Sequence, residues 1–252
     1  TLGKRPEDID ASYVGKKAKE EAIALIGSQS VKSGKYRMIL RNDAFSDMLT
    51  MFVSMISAEN AQKNLSPLKG KLGEQIGSKI FTVKDLPYHP MSISNAPFDT
   101  QGVPTCEKAI VENGVFKTFL HNLKTAKKDG VKPTGNAAGN GIAPINLYVE
   151  PGNKSFEELL SVLGDGIVII QVDGMHAGAN PISGNFSLGA KGFKVENGKI
   201  VRGVEEITIS GNFLEMMKNI EEVGSDLRAF VGFGGCIVPS IIVSEIDIAG
   251  TV

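Results

Sequence analysis

FKVENGKIV, residues 193–201, decides the fold class. Asn197 and Gly198 supply the two positive φ angles that a two-residue type I′ turn needs, and apolar residues flank the turn on both sides. That combination predicts an antiparallel β-hairpin. The same four letters, VENG, recur at 111–114 between further apolar residues, which predicts a second hairpin. The wider flanks differ, so the pair is not an internal repeat.

Working outward from the hairpins, most of the chain reads as strand and turn. KYRMILR (35–41) alternates, GIVIIQVD (166–173) is a strand-like run, PSIIVSEIDIAG (239–250) closes the chain as a strand, and KIFTV (79–83) reads as another. DLPYHPMSISNAPFDTQGVPT (85–105) holds four prolines and is read as irregular, since proline cannot donate to a ladder. Helices are few. Residues 10–27 place Val14, Ala18, Ala22, Leu25 and Ile26 on one face. The next helix, capped by Asn42 or Asp43 and fraying near Asn60, aligns Phe45, Met48, Leu49, Phe52, Val53 and Ile56 at steps of three and four. Ser155 and Glu158 fit a capping box opening SFEELLSVLG, and Phe213, Met216, Met217 and Ile220 mark a last helix. No βαβ rhythm, GxGxxG or Walker loop is present. The expected architecture is α+β: a large, mostly antiparallel β domain, sandwich or open-barrel-like, with a few covering helices.

Composition narrows the function. The chain has 252 residues with 42% hydrophobic and 22% charged, and a net charge of −1 gives no electrostatic footprint for nucleic acid. Lysines at 124–132 and 191–202 read as solvated faces. Two cysteines are too few for a disulfide scaffold and point to the cytoplasm. No apolar run reaches the ~20 residues that span a bilayer. The charged opening GKRPEDIDASY reads as an interdomain linker, so residues 1–34 are expected to be a linker and helix following an N-terminal domain outside this sequence. Residues 35–252 are then the β-rich domain.

A self-contained active site is hard to assemble from these residues. The three histidines, His89, His121 and His176, form no HExxH or other close pair, whereas zinc needs three or four ligands within about 2.0–2.3 Å. Ser187 follows Gly184 and Asn185 with His176 nearby, but GNFSLGA is not the GxSxG elbow and no acid completes a triad. TGNAAGNG (134–141), with Asn136, reads as a backbone anion nest or as left-handed turns. Asp99 in FDTQG reads as a turn former or a ligand-facing carboxylate.

Several phrases occur together and in order: KLGEQIGSKIFTVKD (71–85), APFDTQGVPT (96–105), IVENGVFKTFL (110–120), PTGNA (133–137) and SGNFSLGAKGFKVENGKIVRGVEEITISGNFLEMMKNI (183–220). From about residue 10 to its end, the chain resembles the TldD/PmbA (TldE) family in the part after its N-terminal domain. The resemblance implies a cytoplasmic, two-component zinc peptidase acting on modified or unfolded peptides, with members first described as modulators of DNA gyrase and as microcin maturation factors. Its catalytic branch carries HExxxH on the helix before the KLGE segment and a cysteine near the C-terminus. Here that helix reads SDMLTMFVSMISAENAQ (46–62), without histidine. Phe52, Val53 and Ile56 stand where ligands would lie, Glu59 is the only acid near the helix end, and Cys236 falls close to the cysteine ligand.

The chain therefore resembles the PmbA/TldE branch, binding no metal itself and leaving zinc to a TldD-like partner in a heterodimer; a homodimer is the other possible assembly. Its expected role is to shape the chamber and hold peptide, with Asp99, Asn136, Asn180, Asn185 and Ser187 as candidate substrate- or partner-binding residues. No direct contact with nucleic acid or membrane is expected. A stand-alone homodimeric peptide-binding scaffold is the alternative, and a hydrolase working through Ser187 and His176 a third reading.

Overall fold

The structure, a computed structural model, describes residues 3–92, 95–232 and 234–251. In chain order its first half holds α1 (Ala11–Ala24), β1 (Gly34–Leu40), α2 (Asn42–Met55), α3 (Ala58–Gln62), β2 (Val83–Asp85), β3 (Lys108–Glu112), β4 (Val115–Phe116) and α4 (Leu123–Asp129). Next come β5 (Ala137–Ala138), β6 (Gly141–Ile142), β7 (Asn146–Val149), α5 (Phe156–Leu163), β8 (Gly166–Asp173) and α6 (Met175–Gly178). The last part holds β9 (Asn185–Glu196), β10 (Lys199–Asn212), α7 (Phe213–Lys218), β11 (Ile220–Val223), β12 (Arg228–Gly232), β13 (Gly234–Val238) and β14 (Ile241–Ala249).

Both hairpins form with the turn chemistry their sequence dictates. Asn113 and Gly114 have φ of 49° and 77°, and Asn197 and Gly198 have 50° and 73°. The β9–β10 hairpin belongs to a sheet ordered β1–β8–β9–β10–β14–β11, in which β14 also pairs with β1. Five strands thus form a ring of pairings, which leaves them no free edge, and β11 joins β14 beside β10. A second sheet runs β12–β13–β7–β2–β3–β4. The architecture is α+β and mostly antiparallel, as the hairpins predict. Two parallel pairs, β1–β8 and β7–β13, join strands far apart in sequence and leave no local βαβ signature.

Helix α2 lies between the sheets, packed on β8 and β1 on one side and on β12 and β13 on the other. Its stripe explains why: Phe45, Met48, Leu49, Phe52 and Met55 are fully or almost fully buried, and each such side chain is worth about 1.5–3 kcal/mol. Phe45 meets Phe81 at 6.3 Å between ring centroids, and Phe52 meets Phe213 at 6.1 Å. Strand β8 is buried on both faces, which accounts for its unbroken IVII run. Ile167 and Ile169 join the cluster around α2, while Val168 and Ile170 face Leu159 and Leu163 of α5. The capping box of α5 is present, with Ser155 N donating to Glu158 Oε2 at 2.7 Å and Glu158 N to Ser155 Oγ at 3.2 Å.

Several local expectations are corrected. α2 begins at Asn42 with Arg41 as its cap and ends at Met55, because Ser57 leaves the helix to bridge Leu120. KIFTV is strand only at Val83; residues 79–82 form a turn and an irregular approach, with Ile80 exposed. Ile220 starts β11 and does not extend α7. No residue of α1 is buried; Ile26, just beyond its end, is 78% exposed, and Tyr13 and Ile23 are also open. α1 is tied down by Arg41, whose Nη1 donates to Glu21 Oε2 at 2.7 Å while its guanidinium also binds Asp43. Burial opposes charge on Arg41, but the two carboxylates outweigh it and raise its pKa. Among the described residues, no helix is long and apolar enough to cross a membrane.

Candidate functional site

The place where the resemblance puts a metal is built differently here. Cys236 on β13 is buried near Ser46 of α2. Burial pushes the Cys236 thiol up to about 11, with the Ser46 contact pulling the other way, so the group is a neutral thiol near pH 7. The end of α2 beside it is held by a closed polar network. Asn42 Nδ2 donates to the Asp226 carbonyl at 2.9 Å, and Asn42 N donates to Ser240 Oγ at 3.1 Å. The Asp226 carboxylate accepts from Ser240 N at 2.9 Å and from Ser240 Oγ at 2.6 Å. Among the described residues, no three His, Cys, Asp or Glu side chains converge into a group able to hold a metal. One protonated thiol backed by a hydroxyl and a phenylalanine-rich core does not fit zinc. At pH 8, a thiol reagent is expected to label exposed Cys106 within minutes and to leave Cys236 unlabelled until the protein is denatured; mass spectrometry of the two peptides reads this directly.

The five candidate residues separate into two groups. Asn180 and Asn185 come together: Asn180 N donates to the Asn185 carbonyl at 2.9 Å, and Asn180 Oδ1 accepts from Ile182 N at 2.9 Å and Ser183 N at 3.2 Å. Asn185 and Ser187 both lie on β9, opposite Asn212 and Ser210 of β10. Ser187 faces solvent, and the described hydrogen bonds include none between it and the exposed His176. Nothing in that arrangement makes a nucleophile.

Asp99 and Asn136 form the other group, and neither points at solvent. Asp99 is buried, accepting from Gln101 N, Val103 N and Ala137 N at 2.9, 3.0 and 2.9 Å, so its carboxylate is turned inward and closes the turn. Asn136 is fully buried and donates to Asp85 Oδ2 at 2.7 Å and the Ala143 carbonyl at 3.0 Å. Its amide braces the loop from inside, so the side chain is no part of an open anion nest.

A groove of about 390 Å³ collects the phrases that carry the resemblance. Lys71, Glu74, Gln75 and Ile76 form one wall, Leu214, Glu215 and Lys218 of α7 the other, and Ser183 and Asn212 one end. The first wall is fixed to its neighbours. Gly73 N donates to the Phe116 carbonyl at 2.8 Å, Ile76 N to the Gly114 carbonyl at 2.8 Å, and Ser78 N to the Met217 carbonyl at 2.9 Å. Asn212 fastens the end: its Oδ1 caps α7 at Leu214 N, and its Nδ2 donates to the Ser183 carbonyl and to Asn185 Oδ1, both at 2.9 Å. Asn185 thus reaches the groove through Asn212.

Asn212, Lys71 and Asp85 were not singled out from sequence. For Asn212 a signal existed, since Asn212 followed by Glu215 three residues later just before apolar residues is a helix-start pattern. Asp85 had none: in KDLP it looks like a turn residue, yet it is a buried hub whose partners lie 23 to 61 positions away.

Together, the ring of five strands, the second sheet and the enclosed α2 define an α+β domain in which, among the described residues, no group of His, Cys, Asp or Glu side chains could hold a metal. Residues 33–250 match the sequence profile of the PmbA/TldA metallopeptidase C-terminal domain, and the chain belongs to that family. Metalloprotease PmbA of Escherichia coli O157:H7 is 30% identical over 253 residues, covering 99% of this chain and 54% of the relative. The PmbA homolog of Buchnera aphidicola from Acyrthosiphon pisum is 32% identical with the same coverage. The chain thus spans about half the length of these curated relatives. A Thermotoga maritima structure carrying the name of a DNA gyrase modulator superposes with a TM-score of 0.93 at 59% identity, over 97% of this chain and 56% of that one. TldE from Thermococcus kodakarensis gives 0.89 at 27% identity, over 96% and 56%.

Proposed function

We propose that the chain is the metal-free member of a two-component cytoplasmic zinc peptidase, shaping the chamber and holding peptide for maturation or degradation while a TldD-type partner carries the metal. The observation that carries this reading is the burial of Cys236, a neutral thiol, in the core packed around α2, where the family's ligands would have to converge. The likeness to TldE supports the same branch.

Holding a peptide is within reach of this fold. β12 is an edge strand, paired with β13 alone among the described residues, and it offers main-chain donors and acceptors to an extended chain. Such pairing is sequence-tolerant. Val231 on β12 is 72% exposed, and the Arg228 guanidinium carbon lies 5.2 Å from the Phe230 ring centroid. The partner's metal site would supply polarisation of the peptide carbonyl and an activated water. With a net charge of −1 the chain has no electrostatic reason to grip DNA, so an influence on gyrase would be indirect.

Metal analysis and a peptidase assay test the proposal. The chain alone is expected to hold no stoichiometric transition metal and to leave an unstructured peptide intact, and addition of a TldD-type partner is expected to start cleavage. Cleavage by the unaccompanied chain, with metal bound, would overturn it. The uncovered apolar residues of α1 favour a second reading, a stand-alone homodimeric peptide-binding scaffold. A dimer that binds peptide and ignores the partner would select it.

A further inference from the structure

The groove between residues 67–76 and α7 contains an imbalance that neither the fold nor the proposed pairing accounts for. Four charged side chains line it: Lys71, Glu74, Glu215 and Lys218. Glu215 and Lys218 neutralise each other at 2.9 Å. Glu74 is exposed, and water solvates its carboxylate. Lys71 is half-buried, and among the described residues no carboxylate lies within ion-pair distance of its ammonium. A cation partly withdrawn from water in a concavity, without a protein counter-ion, favours an anionic ligand over a neutral or cationic one.

The surrounding groups set what kind of anion fits. A volume of about 390 Å³ matches a small ligand or a few residues of peptide. The apolar part of the lining comes from Pro67 and from the little that Ile76 and Leu214 leave open, and Leu72 and Ile182, next in sequence to the lining residues Lys71 and Ser183, are exposed. The Ser183 hydroxyl accepts from Asn185 N at 3.2 Å and keeps its own proton to donate. Gln75 spends its Nε2 on the Gly77 and Asn113 carbonyls, at 2.6 and 3.0 Å, leaving Oε1 as an acceptor for a ligand N–H. A donor, an acceptor and an anchoring cation between apolar walls match a peptide better than an inorganic anion.

We propose that this groove is a subsite for a peptide carboxylate, anchored by Lys71. The proposal rests on the peptide-holding role above and adds a chemical preference to it. The carboxylate can be a chain terminus or an Asp or Glu side chain.

Three fluorescein-labelled hexapeptides of alanine and serine distinguish the sources: one with a free C-terminus, one amidated, and one amidated with a single internal glutamate. Titrated into the full chain, at least one carboxylate-bearing peptide is expected to bind about tenfold more tightly than the neutral one. Which one does so identifies the source. Lys71→Met is expected to erase that advantage while leaving the neutral peptide's affinity and the thermal melt unchanged, and Lys71→Arg to keep most of it. The subsite is overturned if the wild-type chain does not discriminate among peptides that bind, or if its discrimination survives Lys71→Met. Failure of all three peptides to bind the wild-type chain would overturn the peptide-holding role itself, and the subsite with it.

Discussion

Asp85→Ala is expected to destabilise the protein by about 3–5 kcal/mol, the range for removing one partner of a buried ion pair. Asp85 is fully buried, and its Oδ2 accepts from Lys108 Nζ at 3.0 Å and from Asn136 Nδ2 at 2.7 Å. Its Oδ1 accepts from Ile145 N at 2.8 Å and Asn146 N at 3.0 Å. Alanine would strand a Lys108 side chain that is only 11% exposed, take the carboxylate acceptor from two backbone N–H groups, and leave the Asn136 amide with the Ala143 carbonyl alone. For a chain of this size the loss corresponds to a drop in Tm of about 6–20 °C. Calorimetry of Asp85→Ala, Lys108→Met and the double variant separates the terms. The double variant is expected to recover part of the loss, since no uncompensated ammonium remains. A single-variant effect below about 1 kcal/mol would show that the hub is not structural.

Gly114→Ala is expected to be nearly as damaging and to act on the groove. Gly114 has φ of 77°, where a side chain costs about 1–3 kcal/mol. A Cβ there would also lie 2.6 Å from the Ser78 carbonyl oxygen, and closer still to Gln75 Nε2 and the Gly77 carbonyl oxygen. Two of these three are main-chain atoms, so relief requires the 75–78 segment to move, at a further cost of about 1–3 kcal/mol. That segment is the groove wall carrying Gln75 and Ile76, and Gly114 O accepts from Ile76 N and Gly77 N at 2.8 and 3.1 Å. The expected result is a lowered melt together with weaker peptide binding. Gly198→Ala serves as a comparison. It also has positive φ, but lies at the tip of the other hairpin, beside α5, with its nearest would-be Cβ contact at 3.1 Å. Equal losses of binding in both variants would remove the link between the 113–114 turn and the groove.

The features legible in sequence share one property: their cause lies within a few residues. The Asn-Gly turns at 113 and 197, the Ser155–Glu158 box, the apolar stripe of α2 and the doubly buried run of β8 each follow from backbone conformation or side-chain periodicity. For the same reason the missing imidazoles on α2 are visible in the letters alone. In two places local pattern and tertiary context disagree. The apolar face of α1 reaches the core only near Leu25, just past the helix end, and leaves Ile23 and Ile26 open, while Asn185 and Ser187 sit in a glycine-rich run that becomes strand because β10 is there to pair with it. Periodicity says that a face is apolar; it cannot say what covers it.

From its letters, then, this protein is an antiparallel α+β chain whose central helix is greasy and carries no histidine. Only the tertiary structure made Asp99 and Asn136 internal braces, put Cys236 against Ser46, and assembled Lys71, Ser183 and Glu215 into one groove. The physical reason is chain separation. Hydrogen bonds such as Asn42 to Asp226, 184 residues apart, depend on how two sheets close around α2, and no window of neighbouring residues encodes that closure.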